Sequence, residues 1–213
     1  MSFDGLAPHY RWLELVLAGD KLQRCRTAFL SRELRAVNVL ILGEGNGRFL
    51  AECLRNLRPG KIVCVDASAR MLQLAQHRVS GESTTTVIEF VQADALAWQP
   101  PAGIFDLIVT HFFLDCFRPQ DLRELLPKLA QAAAPSAHWL MADFQIPSTG
   151  WRRWRASLIH RLMYLFFRIV TRLPARCLTV PDPFLAEQGF VLRQRRVSDW
   201  GLLRTDWWQR GEV

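Results

Sequence analysis

The sequence predicts an α/β fold, a three-layer sandwich in which helices cover both faces of a seven-stranded, mostly parallel sheet. Between residues 37 and 145, apolar strand-like runs alternate with helix-like patterns and short links, which is typical of a parallel sheet. A glycine-rich turn directly follows the first run, and two strand-like runs at 190–209 close the chain without a helix between them. We expect that last pair to be antiparallel. A chain of 213 residues is long enough for one such domain, so we predict a single domain over 1–213.

The N-terminal part, residues 1–35, is predicted to be helical. Apolar residues recur at helical spacing from 8 to 34, and Gly19-Asp20 divides this segment into two helices. The first strand is predicted at Val37–Leu42. After the glycine turn, a helix is predicted from Arg48 to about Asn56, because Arg58-Pro59-Gly60 is a stop signal.

The rest of the core, residues 37–145, follows from the same two periodicities. β-branched apolar runs indicate buried strands, and apolar residues three and four apart indicate helices. In chain order we predict a strand at Lys61–Val65, a helix at Ser68–Val79, strands at Val87–Val91 and Phe105–Thr110, a helix at 119–133 and a strand at Ala137–Phe144. Beyond the break at Pro147–Gly150 we predict a long helix at 151–173, a short helix at Pro181–Gln188, and closing strands at Phe190–Ser198 and Leu202–Trp208. The segment 150–180 is placed where it could act as a helical lid.

The charge of the chain is unevenly distributed. Residues 1–150 carry 15 basic and 15 acidic residues, whereas residues 151–213 carry 12 basic and 5 acidic residues and account for the net charge of +7. The basic end could face a membrane, nucleic acid, an anionic substrate or solvent. The sequence has no separate binding module and no aromatic RNA motif, so we do not expect a nucleic-acid partner.

The composition favours a cytoplasmic protein. No apolar run approaches the roughly 20 residues of a membrane span, and the first residues lack the basic start and apolar core of a signal peptide. The five cysteines are scattered without a CxxC pair, which favours reduced thiols over disulfides or a zinc site. We expect no metal centre.

The turn Gly43-Glu44-Gly45-Asn46-Gly47 is the strongest functional signal in the chain. Glycine backbone can turn sharply and approach a ligand closely, and open α/β sheets bind nucleotide-like cofactors at such strand ends. The dinucleotide pattern G-x-G-x-x-G would require glycine at position 48, where Arg48 stands. The Glu44 carboxylate would repel a pyrophosphate, and it suits a cofactor with a cationic end.

Polar residues follow the next predicted strands. Asp66 follows the second strand and can accept hydrogen bonds from ribose hydroxyls, and Asp94 follows the third and can accept one from an adenine amino group. Thr110-His111 comes after the fourth strand, and Asp143 comes at the end of the fifth. Each aspartate alone could equally be a helix cap or a turn residue. Together with the glycine turn, they predict a nucleoside cofactor.

On these residues the sequence resembles the class I S-adenosylmethionine-dependent methyltransferases, which have a Rossmann-like fold. LILGEGNGRFL resembles their cofactor loop, VDAS with MLQLAQHR resembles their ribose-binding segment, and FVQADALAW resembles their adenine-binding segment. The resemblance implies S-adenosylmethionine as the cofactor, with Glu44 near its methionine end, Asp66 at the ribose and Asp94 at the adenine. It further implies cofactor contacts from Gly43, Gly45, Gly47, Ala67, Met71, Ala95 and His111.

Within this class the chain is most similar to the ubiquinone/menaquinone biosynthesis C-methyltransferases. FDGLAPHY fits their opening pattern F-x-x-[hydrophobic]-A-x-x-Y, so Tyr10 joins the predicted cofactor contacts. Arg11 stands where an aspartate is usual, and residues 150–213 show little likeness. The resemblance therefore implies the fold and the cofactor and leaves the acceptor open.

The predicted reaction is methyl transfer to an O or C atom of a small, apolar or aromatic acceptor. A sulfonium methyl is already activated, so the protein's main task is to position the acceptor. A phenol, enol or thiol acceptor also needs a base. His111 is the first candidate, because an unperturbed imidazole titrates near pH ~6.5. Asp115 and Asp143 are the second candidates, and His111 could equally only line the cofactor pocket.

The segment 150–172 is aromatic and basic. Trp154, Leu158, Leu162, Leu165, Phe166 and Ile169 recur at helical spacing, and Arg161, Arg168 and Arg172 share another face. Three interpretations remain open: a helix that covers the core with solvated arginines, a lid over a lipophilic acceptor, or a peripheral contact with an anionic membrane.

Two other functions compete with the methyltransferase hypothesis. One is an NAD(P)-dependent oxidoreductase on a related sheet, against which Glu44 and Arg48 argue. The other is a non-catalytic protein that binds the cofactor or associates with a membrane. The sequence does not specify the oligomeric state.

Overall fold

Helices flank one twisted sheet in the computed structural model, which describes residues 20–31, 34–171 and 178–211, with backbone only for 166–171. The strands are β1 (Asn38–Leu42), β2 (Lys61–Asp66), β3 (Val87–Gln92), β4 (Phe105–His111), β5 (Ala133–Phe144), β6 (Phe190–Ser198) and β7 (Leu203–Arg210). The helices are α1 (Lys21–Thr27), α2 (Arg48–Asn56), α3 (Ala69–Val79), α4 (Pro119–Ala132), α5 (Gly150–Thr171) and α6 (Asp182–Glu187). Short 3₁₀ turns span Leu114–Cys116 and Asp199–Gly201.

The sheet has seven strands in the order β3-β2-β1-β4-β5-β7-β6. Strands β1 to β5 are parallel, and β7 pairs antiparallel with both β5 and β6. The Rossmann-like sandwich with a closing antiparallel pair is therefore confirmed. The order reverses between β1 and β4, and in such sheets ligands bind beyond the strand ends at this switch point.

The core fills both faces of the sheet. On one face, apolar side chains of α4, such as Leu122 and Leu126, pack with Leu40 and Trp139. On the other face, α2 and α3 pack on β1, β2 and β4, with Phe49 among the buried side chains. Strands β1 and β2 are buried on both faces, which explains their continuous apolar runs in the sequence.

Strand β5 begins earlier than the sequence predicted. It starts at Ala133, directly after α4, and not at Ala137. Ala133 pairs with Phe105 at the start of β4, and the register shifts between Phe105 and Leu107. This long-range pairing draws Pro135 and its neighbours into the strand, although proline usually indicates a turn.

The other boundaries agree with the predictions to within a few residues. Of the two N-terminal helices, the second is present as α1, and the first lies outside the described residues. None of the described helices is both long enough and apolar enough to cross a membrane.

Candidate active site

In the glycine turn after β1, other atoms of the protein pack closely against Gly43 and Gly47 but leave space beside Gly45. Gly43, Gly45 and Gly47 all have positive φ, at 65°, 68° and 80°, which favours glycine. A Cβ at Gly43 would lie 2.4 Å from the Phe113 ring, and one at Gly47 would lie 2.7 Å from Ala75 Cα. A Cβ at Gly45 would meet nothing within 4 Å. A ligand can therefore approach the backbone at Gly45.

The Glu44 side chain caps the helix that follows the turn. Its Oε1 accepts hydrogen bonds from the backbone N–H groups of Phe49 and Leu50, both at 3.0 Å. Burial raises the pKa of Glu44 to about 7, although the Leu50 N–H and the Arg26 guanidinium oppose this rise. A cationic group nearby would stabilise the ionised carboxylate. The contact between Glu44 and the cationic end of a cofactor stays a prediction.

Asp66 joins the glycine turn to the end of β2. Its Oδ2 accepts from the Gly45 N–H at 3.3 Å, and its Oδ1 accepts from the Ser68 N–H at 2.9 Å. Ser68 is fully buried and caps α3, because its Oγ accepts from the Met71 N–H at 3.2 Å. The sequence analysis missed Ser68, although a serine just before a helical pattern is an N-cap signal. Ala67 lies between the two, half-buried, and Met71 is buried.

Asp94 lies just beyond β3, which is the parallel neighbour of β2. The residue is exposed, and its Oδ1 accepts from the Leu96 N–H at 3.0 Å, whereas Ala95 is buried. This hydrogen bond within the turn is the structural role that the sequence allowed for Asp94 as an alternative to cofactor binding. Because parallel strands end on one edge of a sheet, Asp66 and Asp94 nevertheless follow neighbouring strands at the same edge.

His111 ends β4 and faces α2. Its ring packs edge-on against Phe49, with centroids 4.5 Å apart. The imidazole is buried, and neither ring nitrogen has a hydrogen-bond partner among the described residues. Burial, helped by the Arg26 charge, holds the pKa of His111 well below its ordinary value. The ring is therefore neutral and a weak base near neutral pH.

Asp115 and Asp143 form a second group beyond β4 and near the end of β5. Both are buried, and the Asp143 Oδ2 has no hydrogen-bond partner within the described part of the chain. Burial raises the pKa of Asp115 to about 6. Burial and the Asp115 charge raise the pKa of Asp143 well above its ordinary value. Two carboxyls that interact in this way resist joint ionisation, so one of them keeps its proton to higher pH.

Helix α5 contacts the Asp115 end of this pair. The Tyr164 hydroxyl donates to the Asp115 carbonyl oxygen at 3.1 Å, and its ring packs with Cys116, Met163 and Leu178. Asp115 therefore lies beside a small apolar cluster that contains the Tyr164 phenol.

His160, one turn before Tyr164, also faces inward. Its Nδ1 lies 2.6 Å from the Ala156 carbonyl oxygen, which can only accept, so Nδ1 carries the proton. Its Nε2 is buried without a partner among the described residues. The sequence analysis missed His160 and Tyr164 as site residues. Ala156, His160 and Tyr164 are spaced by four, and this spacing could have shown that they share a face.

The structure brings the predicted residues together in two groups. Asp66 bonds to the glycine turn, and Asp115 and Asp143 interact with each other under α5. The Arg26 charge lowers the pKa of both Glu44 and His111. Tyr10 lies outside the described residues.

The glycine turn and Asp66, at the carboxyl ends of β1 and β2, are here called the cofactor edge. Their arrangement fits S-adenosylmethionine. The turn offers an open backbone at Gly45, and the Asp66 carboxylate lies beside it. The raised pKa of Glu44 shows a carboxyl that lacks a full counter-charge, which suits a cationic ligand. No group of His, Cys, Asp and Glu residues that could hold a metal ion occurs among the described residues.

The fold and the residues at the carboxyl ends of its strands together indicate the class of protein. A left-handed glycine turn at the switch point, followed by carboxylates after β2 and β3, is the arrangement that the resemblance implied. The methyltransferase domain family matches residues 39–136. The chain is similar to the class I S-adenosylmethionine-dependent methyltransferases, in agreement with the predicted family and cofactor, and the predicted fold is confirmed.

Within this class the chain is similar to quinone-pathway enzymes. A demethylmenaquinone methyltransferase of Thermus thermophilus is 30% identical over 151 residues, which make up 70% of this chain and 66% of that relative. The ubiquinone/menaquinone biosynthesis C-methyltransferase of Pseudomonas entomophila is 28% identical over 149 residues, 68% of this chain and 57% of that relative. The chain thus spans less than two thirds of the length of these curated relatives.

Solved structures support the fold. The mitomycin 7-O-methyltransferase superposes with a TM-score of 0.72 at 17% identity, covering 99% of this chain and 61% of that one. At this identity the likeness shows the fold alone.

Proposed function

We propose that this chain transfers a methyl group from S-adenosylmethionine to an O or C atom of a small, apolar or aromatic acceptor. The observation that carries the proposal is the buried acid pair Asp115 and Asp143, with Tyr164 of α5 and its apolar neighbours at Asp115. An apolar acceptor gains from the lining, and a phenolic or enolic proton has a carboxylate to receive it.

The residues of the chain divide the work. The turn from Gly43 to Gly47, with Asp66 and Asp94, would hold the cofactor, which supplies a methyl group on a sulfonium centre. The acid pair would orient the acceptor and take its proton. Burial of this pair keeps water away from the reacting atoms.

We propose Asp115 and Asp143 as the base in preference to His111. The pKa of His111 is held well below its ordinary value, which weakens it as a proton acceptor. The acid pair has raised pKa values, which strengthen a carboxylate as a base. His111 then lines the pocket.

The acceptor class also draws support from the relatives. Both curated relatives are named for quinone biosynthesis, and the reduced form of a quinone is an aromatic phenol. This supports an aromatic acceptor for the present chain. We further propose that the protein is cytoplasmic, works on a small lipophilic molecule without a nucleic-acid partner, and contacts membranes peripherally through residues 150–172.

The experiment is a methyl-transfer assay with isotope-labelled S-adenosylmethionine and a panel of hydroquinones, catechols and simple phenols. We expect S-adenosylhomocysteine to accumulate together with a methylated acceptor. Asp143→Asn should lower kcat at least tenfold while leaving cofactor affinity within about twofold, because it removes a proton acceptor with little change in shape. Cofactor binding without turnover on any acceptor would support the non-catalytic alternative, and binding of NADH alone would contradict the proposal.

The pH profile separates the two candidate bases. A carboxyl whose pKa is raised to about 6 is ionised above that pH, so kcat should rise through about pH 6 and then level off. His111→Ala should preserve this rise if the acid pair is the base. Loss of the rise in His111→Ala, with Asp143→Asn unaffected, would assign the proton transfer to the histidine.

A further inference from the structure

Helix α5 presents an apolar stripe to solvent. Its large exposed side chains are Trp151 (59%), Trp154 (71%), Leu158 (43%), Leu162 (59%) and Leu165 (55%). They are spaced by three and four residues, so they lie along one side of the helix over about 21 Å, at about 1.5 Å per residue. Ala156, His160 and Tyr164 are buried on the other side. The helix thus packs on the protein through Ala156, His160 and Tyr164 and exposes the longer row of apolar side chains to solvent.

Aromatic residues concentrate at the start of this stripe. Trp200 is 59% exposed and lies against Trp151, with ring centroids 5.7 Å apart. The Arg152 guanidinium lies 5.8 Å from the centre of the Trp200 ring. Exposed tryptophans are typical of the interface between lipid headgroups and acyl chains, where an amphipathic ring is most stable.

The charge around the stripe has one sign. Between Phe144 and Pro181 the sequence contains seven arginines and no aspartate, glutamate or lysine. Arg152, Arg153 and Arg161 are exposed beside the stripe. This charge complements an anionic surface, and arginine pairs well with phosphate groups. A helix with an apolar face and a cationic face of this kind lies in the plane of a membrane interface.

We propose that the stripe, defined as Trp151, Trp154, Leu158, Leu162 and Leu165, docks on an anionic phospholipid bilayer. The side chains of the stripe enter the boundary between headgroups and acyl chains, and the flanking arginines bind lipid phosphates. The inner face of the same helix covers Asp115, since the Tyr164 hydroxyl donates to its carbonyl oxygen. The role of this docking in catalysis rests on the proposed function. An apolar acceptor dissolved in the bilayer would then have a short path to Asp115 and Asp143.

The test uses the full chain and unilamellar vesicles of phosphatidylcholine, with or without an equal share of phosphatidylglycerol. We expect co-flotation with the anionic vesicles to be at least tenfold stronger than with the neutral ones. Tryptophan emission should shift to shorter wavelength on binding, because Trp151 and Trp154 leave water. About 0.5 M salt should weaken binding severalfold, since salt screens the arginine–phosphate attraction.

Paired variants identify the surface. Trp154→Gln with Leu162→Gln should weaken vesicle binding at least tenfold. The control Val37→Gln with Val87→Gln changes two side chains of similar exposure, 64% and 62%, outside helix α5 and should bind like the wild type. Arg152→Gln with Arg161→Gln should abolish most of the preference for anionic lipid, whereas Arg123→Gln with Arg193→Gln removes the same charge elsewhere and should preserve it.

Binding of S-adenosylmethionine, measured in the same variants, reports that each is folded. Vesicle binding that is equal in the stripe variant and the wild type overturns the proposal. So does a dimer in light scattering that is lost in the stripe variant, combined with no vesicle binding, because a second copy would then cover the stripe. Neither result affects methyl transfer measured on a soluble acceptor, so this proposal and the proposed methyl transfer fail separately.

Discussion

Asp66 is the residue on which the cofactor edge depends. Its two carboxylate oxygens accept from backbone N–H groups of Gly45 and Ser68, so it orders the glycine turn and the start of α3 together. A residue with both roles orients the turn even before any ribose hydroxyl binds.

We predict that Asp66→Ala weakens S-adenosylmethionine binding at least tenfold, a loss of about 1.4 kcal/mol or more, as expected for lost charge-assisted hydrogen bonds. Isothermal titration calorimetry measures the effect. Glu89→Ala, which removes a surface carboxylate paired with Lys61 on the neighbouring strands, should bind normally. Unchanged affinity in Asp66→Ala would show that the strand-end assignment is wrong.

Glu44 couples the cofactor edge to pH. Its pKa is raised from 4.5 to about 7 in the folded chain, so the folded state binds a proton that the unfolded state releases within this window. Burial of Glu44 therefore costs stability as the pH rises from 4.5 to 7. A bound cation favours the ionised form of Glu44 and so offsets part of this loss of stability.

We therefore predict that affinity for S-adenosylmethionine rises severalfold between about pH 5.5 and pH 8. The charged groups that act on Glu44 are Arg26, which lowers its pKa, and Asp66, which raises it. Glu44→Gln should bind less tightly at pH 8 and lose most of the pH dependence. A variant that keeps the full slope would assign the titration to another group.

At the scale of elements, Gly47 sets the distance between α2 and α3. The Ala75 backbone approaches Gly47 so closely that a Cβ there would lie 2.7 Å from its Cα, and φ is +80°. Two constraints thus act on one position, backbone conformation and helix packing.

Gly103 provides a matched control for these two constraints. It has a similar φ of +71°, and a Cβ there would meet nothing within 4 Å. We predict that Gly103→Ala costs about 1 kcal/mol of the free energy of unfolding and Gly47→Ala clearly more, roughly 2–4 kcal/mol. Urea denaturation measures both. Equal losses would show that α3 moves away from the new methyl group at little cost.

The two faces of helix α5 bear on the interpretations that its sequence left open. The apolar residues at 154, 158, 162 and 165 do not face the core, since all four are exposed. The helix covers the core through the row of Ala156, His160 and Tyr164 instead. The face over Asp115 supports a lid, and the outer face supports a membrane contact.

At the scale of the whole molecule, an ion network joins the closing strand pair to helix α6. Asp206 on β7 is fully buried, and its Oδ1 and Oδ2 accept from Arg195 at 2.6 and 2.7 Å. Arg204 Nη1 lies 2.7 Å from Asp182 Oδ2 at the start of α6. The network joins β6, β7 and α6.

We predict that Asp206→Ala destabilises the protein by about 3–5 kcal/mol, because Asp182 alone then faces two arginines, of which Arg204 is buried. Glu89→Ala, which breaks an exposed ion pair, should cost at most about 1 kcal/mol. Thermal and urea unfolding provide the comparison. A loss below about 1 kcal/mol in Asp206→Ala would mean that water reaches the arginines once the carboxylate is gone.

The sequence by itself determined the fold, and it predicted the cofactor and the end of the sheet that would bind it. Local patterns carry this information: apolar runs specify buried strands, and Gly43, Gly45 and Gly47 specify a left-handed turn. Parallel strands end at one edge, so Asp66 and Asp94 were placed correctly without coordinates. Strand β5 departed from its prediction only where pairing with Phe105 overrides the turn preference of Pro135.

The tertiary structure alone decided which polar side chains meet and which faces they occupy. Burial and mutual charge, which are properties of the packed state, raise the pKa values of Asp115 and Asp143, whereas burial and Arg26 lower that of His111. The rotation of α5 about its axis is also set by packing, since Ala156 and Tyr164 are buried and the Tyr164 hydroxyl donates to the Asp115 carbonyl oxygen. Helical periodicity fixes which residues share a face, and only contact with the rest of the chain selects the face that is buried.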